Sequence, residues 1–171
     1  AYANAAGAAV RTAESDTPAV VVEGSRDVEA DLEVAVREAE RDLLNTQGKA
    51  PAVRLVDLIV FEALLRGASD VHVQPIRERT LVRFRLDGAL HTVRELPGSL
   101  ASSVVSRIKV MARLDVAERR APQDGRATVT VGGSSNHHSG RRVDLRISIL
   151  PSTYGERVVL RLLDPTRSPH V

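Results

Sequence analysis

Hydrophobic positions first recur with a helical period between Asp27 and Asn45. Val28, Leu32, Ala35, Val36, Ala39, Leu43 and Leu44 fall on one side, and Glu29, Asp31, Glu33, Glu38 and Glu40 fill the rest. Asp27 stands at the N-cap position and Gly48 lies just past the end. The pattern predicts an acidic amphipathic helix, either packed on the domain or part of a linker. Pro51 suits the first turn of a second helix running to about Arg66. Its apolar surface (Val53, Val56, Leu58, Ile59, Val60, Ala63, Leu64) is broad enough to demand burial, and Gly67 ends it.

From Ser69 the period becomes two. Val71 and Val73 oppose Asp70, His72 and Gln74, and Val82, Phe84 and Leu86 share a face. Asp87-Gly88 predicts a hairpin turn into a strand over 89–96, which Pro97-Gly98 breaks. Ser99 is then expected to cap a third helix through Leu114, with Leu100, Val104, Val105, Ile108 and Met111 inward. A charged loop over 117–126 precedes strands at 127–131, 143–150 and 157–163. This order of helices and strands predicts an α+β fold with a mainly antiparallel sheet. Residues 1–26, Ala-rich and without a sustained period, read as a flexible tail or linker.

Composition narrows the picture. The chain has 171 residues, 43% hydrophobic and 27% charged, which excludes a wholly disordered polymer. No run approaches the roughly 18 apolar residues of a membrane span. The first 20 residues lack a basic start with an apolar block, so no secretory leader is expected. The absence of cysteine excludes disulfides, Cys-ligated zinc and thiol catalysis, and suits a cytoplasmic protein. Against 22 acids stand 24 bases, all arginine except Lys49 and Lys109. Codon bias explains such a preference, and so does phosphate binding, for which the planar guanidinium is well shaped.

One pair of arginines can be placed more closely. In 143–149 the apolar residues hold odd positions, leaving Arg146 on the other face; in 157–162 Val158, Leu160 and Leu162 point inward, leaving Arg157 and Arg161 outward. If the loop over 151–156 makes a hairpin, partners sharing a face have odd index sums: a sum of 307 sets Arg146 directly opposite Arg161, a neighbouring register of 305 or 309 sets them diagonal, and either way both converge on one exposed patch. Like charges in that position repel. Either acids such as Asp144 screen them on a solvated face, or the patch, with Arg157 at its edge, holds a phosphate or carboxylate.

Other constellations are weak. Neither lysine sits in a Gly-x-x-x-x-Gly-Lys-Ser/Thr loop, so no nucleoside-triphosphatase core is expected in this segment. His137-His138, in a Gly/Ser-rich stretch with no spaced third ligand, reads as a surface loop, and no metal site is expected. Glu118 and Asp124, among arginines, are expected to form salt bridges.

The stretch Gly67-Ala68-Ser69-Asp70-Val71-His72-Val73-Gln74-Pro75 resembles the Gly-Ala-Ser-Asp-Ile-His-Ile-Glu signature of the secretion ATPases of type II secretion and type IV pilus assembly. The similarity continues through Val82-Arg83-Phe84-Arg85-Leu86-Asp87-Gly88, Ser106-Arg107-Ile108-Lys109-Val110-Met111-Ala112 and the segment 117–126. It ends in Val143-Asp144-Leu145-Arg146-Ile147-Ser148 and the segment 155–164. The resemblance is to the second N-terminal domain of these ATPases, a PAS-like module that precedes a RecA-like motor domain. It implies an acidic linker helix over 27–48, the PAS-like domain over 49–164, and the start of a linker to a missing motor domain over 165–171.

The resemblance further implies that Arg146 and Arg161 reach the γ-phosphate of ATP on the motor domain, with Arg157 peripheral. ATP and Mg²⁺ would belong to the parent protein, none held tightly by this fragment, which would itself be no enzyme. Expected partners are motor domains of the same and neighbouring subunits in a homo-hexamer, and inner-membrane platform proteins, at the cytoplasmic side of the inner membrane. Two alternatives stand beside this reading. One is a pure interaction module whose arginines pair with carboxylates. The other is a nucleic-acid binder, opposed by interspersed acids, a net charge of only +2 and the lack of an aromatic stacking row.

Overall fold

The alternating segments assemble into one seven-stranded sheet in the computed structural model, which describes residues 19–22, 27–44, 50–131 and 141–164. In chain order the elements are β1 (Ala19–Val22), α1 (Val28–Leu44), α2 (Ala50–Leu65), β2 (Asp70–Pro75), β3 (Arg79–Leu86), β4 (Ala89–Pro97), α3 (Ala101–Met111), β5 (Gln123–Val131), β6 (Arg141–Ser152) and β7 (Gly155–Leu163). The strands lie in the order β1-β5-β6-β7-β2-β3-β4. All neighbours are antiparallel except β1, which runs parallel to β5. The α+β fold with a mainly antiparallel sheet and packed helices is thus what the pattern predicts.

Local chemistry sets the boundaries. The Asp27 carboxylate accepts a hydrogen bond from the Ala30 N–H at 3.2 Å, opening α1. Gly67 adopts φ 68°, and the Ala68 N–H returns to the Ala63 carbonyl at 2.8 Å, closing α2. Asp87 (φ 48°) and Gly88 (φ 83°) make the left-handed pair that a tight hairpin requires.

One face of the sheet is the core. Val71, Val73, Val82, Phe84, Val129, Val143, Leu145, Ile147, Ile149, Val158 and Leu160 are all buried there, with residues of α2, α3 and α1 in the same apolar cluster. The acidic helix α1 packs on this cluster through Leu32, Ala35 and Ala39. Glu62, inside the apolar run of α2, is buried because Arg94 of β4 donates to it at 3.2 Å and Arg66 at 2.7 Å. No helix among the described residues is long and apolar enough to cross a membrane.

Three expectations are corrected. Within the stretch read as a flexible tail, Ala19–Val22 is a strand paired with Thr128–Val131. The edge of β5 offers unpaired backbone groups, and a run of three valines is suited to pairing with it. The remainder of 1–26, the segments 45–49 and 165–171, and the His137-His138 stretch lie outside the described residues. Ser99 does not cap a helix: it lies in a 3₁₀ turn, Gly98–Leu100, with no capping side chain, and α3 ends at Met111, where Arg113 turns left-handed at φ 55°. Finally β5 begins at Gln123, inside the stretch expected to be loop, because β6 is 12 residues long and its ladder continues to Ile149.

Candidate functional site

The second face of the sheet exposes charged side chains, among them Arg126, Asp144, Arg146 and Arg161. On β6, Val143, Leu145, Ile147 and Ile149 face the core, so Arg146 projects the other way; on β7 the same alternation turns Arg161 outward. Their register is the sum of 307: Arg146 stands directly opposite Arg161. The rung continues on both sides. Arg126 of β5 is opposite Arg146, Asp70 of β2 is opposite Arg161, and Arg85 of β3 is opposite Asp70. One line across five strands thus holds four arginines and one aspartate.

The aspartate serves only one end. Asp70 accepts from the Arg161 Nε at 3.2 Å, faces the Arg85 Nε at 3.3 Å, and accepts from the Ser69 hydroxyl at 2.7 Å. Burial pushes its carboxyl up, but the bonds from Ser69 and Arg161 and the charges of Arg161 and Arg85 outweigh this and hold it below the usual carboxylate range. Arg161 remains 64% exposed despite the pair. Arg126 and Arg146 are exposed and form no ion pair among the described residues.

The acids that the sequence offered as screens lie on the neighbouring rungs and hydrogen-bond to hydroxyls, not to the arginines. Asp144 accepts from the Thr128 hydroxyl at 2.7 Å, and Asp124 accepts from the Ser148 hydroxyl. Glu118 receives the backbone N–H groups of Arg120 and Ala121 instead of an arginine side chain, shaping the loop before β5. Neither Glu118 nor Asp124 forms a salt bridge among the described residues. A shallow depression of about 600 Å³ lies over the rung, lined in part by Asp124, Arg126, Arg146, Ser148, Val159 and Arg161.

Arg157 lies apart from the pair. It is half-buried, and its guanidinium turns to His72 Nδ1 at 3.4 Å. His72, read from the pattern as a polar-side residue, is only 7% exposed. Arg126 was missed as a site residue because the strand was expected to start at Ala127, four residues after its start at Gln123; its signal was the alternation Asp124, Arg126, Thr128 running back from Val129.

Comparison with known proteins adds the following. The family model described as type II/IV secretion system protein matches residues 45–169. Type II secretion system protein E of Pseudomonas aeruginosa is 52% identical over 141 residues, covering 82% of this chain and 26% of that protein. The type IV pilus assembly ATPase PilB of Myxococcus xanthus is 43% identical over 140 residues, covering 81% of this chain and 24% of that protein. The chain therefore spans about a quarter of the length of these relatives. Among solved structures, the Yersinia pseudotuberculosis ATPase DotB overlaps 64% of the chain and 29% of its own at a TM-score of 0.47 and 19% identity.

Proposed function

The chain belongs to the type II/IV secretion system protein family, and from that premise we propose that it is the nucleotide-contacting and subunit-docking domain of a hexameric cytoplasmic ATPase that drives type II secretion or type IV pilus assembly. Arg146 and Arg161 supply guanidiniums to the γ-phosphate of ATP held by a RecA-like motor domain, of the same or a neighbouring subunit, and Arg157 stays at the periphery. Inner-membrane platform proteins are the further partners.

The observation that carries this reading is the rung itself. Two exposed arginines directly opposite one another repel, and a polyanion placed between them converts that cost into paired, charge-assisted hydrogen bonds. The residues fit a phosphoryl group and do not fit Mg²⁺, since the single carboxylate of the rung is occupied by Ser69, Arg85 and Arg161. The metal, like the P-loop, is assigned to the motor domain, and this segment alone turns over no ATP. Its arginines neutralise charge developing on the transferred group from outside the motor's own phosphate cradle.

In the full-length protein, Arg146→Ala or Arg161→Ala is expected to lower ATPase turnover. Arginines in this role are worth roughly 10³–10⁵ in turnover, and two that share the task are each worth less. Arg→Lys rescues poorly, because a point charge lacks the bidentate fork. Arg146 is exposed and without an ion pair among the described residues, so its variant keeps thermal stability, whereas Arg161→Ala takes one of two arginines from the buried Asp70 and lowers the melting point; Arg37→Ala on α1, whose partner is the exposed Glu33, is the silent control. Wild-type turnover by both arginine variants in assembled hexamers rejects the nucleotide-contacting role and leaves a docking module whose arginines meet carboxylates.

A further inference from the structure

The geometry points to Arg126 as a third phosphate-binding arginine, making the row Arg126–Arg146–Arg161 a site for two adjacent phosphoryl groups of a polyphosphate chain. This rests on the reading that the row takes phosphate, and extends it to a residue and a ligand class.

The first argument is placement. Arg126 is directly opposite Arg146 as Arg146 is directly opposite Arg161, so the three side chains leave one face from three consecutive strands. Strands are spaced about 4.8 Å apart, which puts the outer Cα atoms roughly 10 Å from each other. Guanidiniums on neighbouring strands converge on a single phosphate. A third, one strand further on, reaches past it to the next. The same depression of about 600 Å³ is lined by all three.

The second argument is where compensation is missing. Asp70 neutralises the row at its Arg161 end. On β5 and β6 the rungs above and below Arg126·Arg146 each pair an acid with a hydroxyl across the strands: Asp124 with Ser148, and Asp144 with Thr128. These carboxylates temper the field diagonally, yet their hydrogen bonds go to neutral partners. Arg126 and Arg146 are left exposed, opposed and without an ion pair among the described residues. A ligand with charge on only one phosphoryl group, seated between Arg146 and Arg161, leaves the Arg126·Arg146 repulsion in place. A polyphosphate relieves both.

The test is titration of the full 171-residue chain at low ionic strength with sodium tripolyphosphate and with inorganic phosphate, followed by calorimetry and by NMR of the arginine side chains. Wild type should bind tripolyphosphate more tightly than phosphate. Arg126→Gln should weaken tripolyphosphate by about tenfold, the worth of one charge-assisted contact, and erase most of that preference. Arg146→Gln should weaken both ligands, and Arg37→Gln neither. Melting curves establish that the variants are folded, as removing one of two opposed surface charges predicts.

If Arg126→Gln keeps the wild-type preference while Arg146→Gln loses both ligands, the third arginine is rejected and the γ-phosphate reading stands. If Arg146→Gln leaves both ligands untouched, or wild type shows no saturable response to tripolyphosphate, the phosphate reading falls and this inference with it.

Discussion

His72 sits on the polar side of β2, yet it is enclosed by the side chains of its neighbours. Burial first, then the Arg157 guanidinium, holds its imidazole below the usual histidine range; Arg85 and Arg83 add to this and Asp70 opposes it. The unfolded chain takes up this proton near pH 6.5 and the folded chain only at lower pH. The neutral imidazole's contribution to stability is therefore complete above about pH 6.5 and is lost progressively as pH falls through the window beneath it. Melting midpoints measured from about pH 7.5 down to about pH 5 should fall, and His72→Gln should flatten that slope. Equal slopes for the two proteins rule the assignment out. Asp70 behaves oppositely: its depressed carboxyl contributes above the unfolded value of 3.8 and loses its effect only as pH falls through the lower folded value. Loss of the His72 contribution thus begins below about pH 6.5 and that of Asp70 below about 3.8.

At the scale of elements, alternation and turn residues carried most of the information. Odd and even positions on β6 and β7 were enough to fix both faces and, with a hairpin assumed, to bring Arg146 and Arg161 to one patch; the structure selects the directly opposed register over the two diagonal ones. The pattern failed where pairing outruns polarity. Gln123 to Arg126 look like loop, with a glycine and mixed charge, but β6 is long enough to hold them in the ladder, and Arg126 entered the row unseen. Buried polar groups were equally illegible, because their partners come from distant elements. Lys109 of α3 is 1% exposed, with its ammonium 2.6 Å from Glu156 of β7 and donating also to the Glu118 carbonyl of the loop before β5. This contact joins the helix to β7 and to the loop that leads into β5. Lys109→Met should cost about 3–5 kcal/mol, as it leaves Glu156 with an uncompensated charge. Adding Glu156→Gln should restore much of the loss, and denaturant midpoints of the single and double variants decide the matter.

At the scale of the whole molecule, the sheet divides into a face sealed by three helices and a face of bare charge, and the strand order gives the pair of chain ends a particular mechanical standing. Ala19, where the chain enters β1, is level with Thr128, Asp144 and Leu163, the last being where it leaves β7. Entry and exit are thus abreast, three ladders or roughly 14 Å apart. Tension drawn between them runs across the strands, along the hydrogen bonds. The three ladders carry this load in series, and β1·β5, with 4 paired positions against 9 each for β5·β6 and β6·β7, is the shortest and is expected to open first. Optical tweezers gripping residues 19 and 163 should record a low-force step of a few residues before the body gives way. A single rupture at high force is the contrary result. Under such tension β1 is expected to act as a clasp, opening while the arginine row on β5, β6 and β7 stays paired.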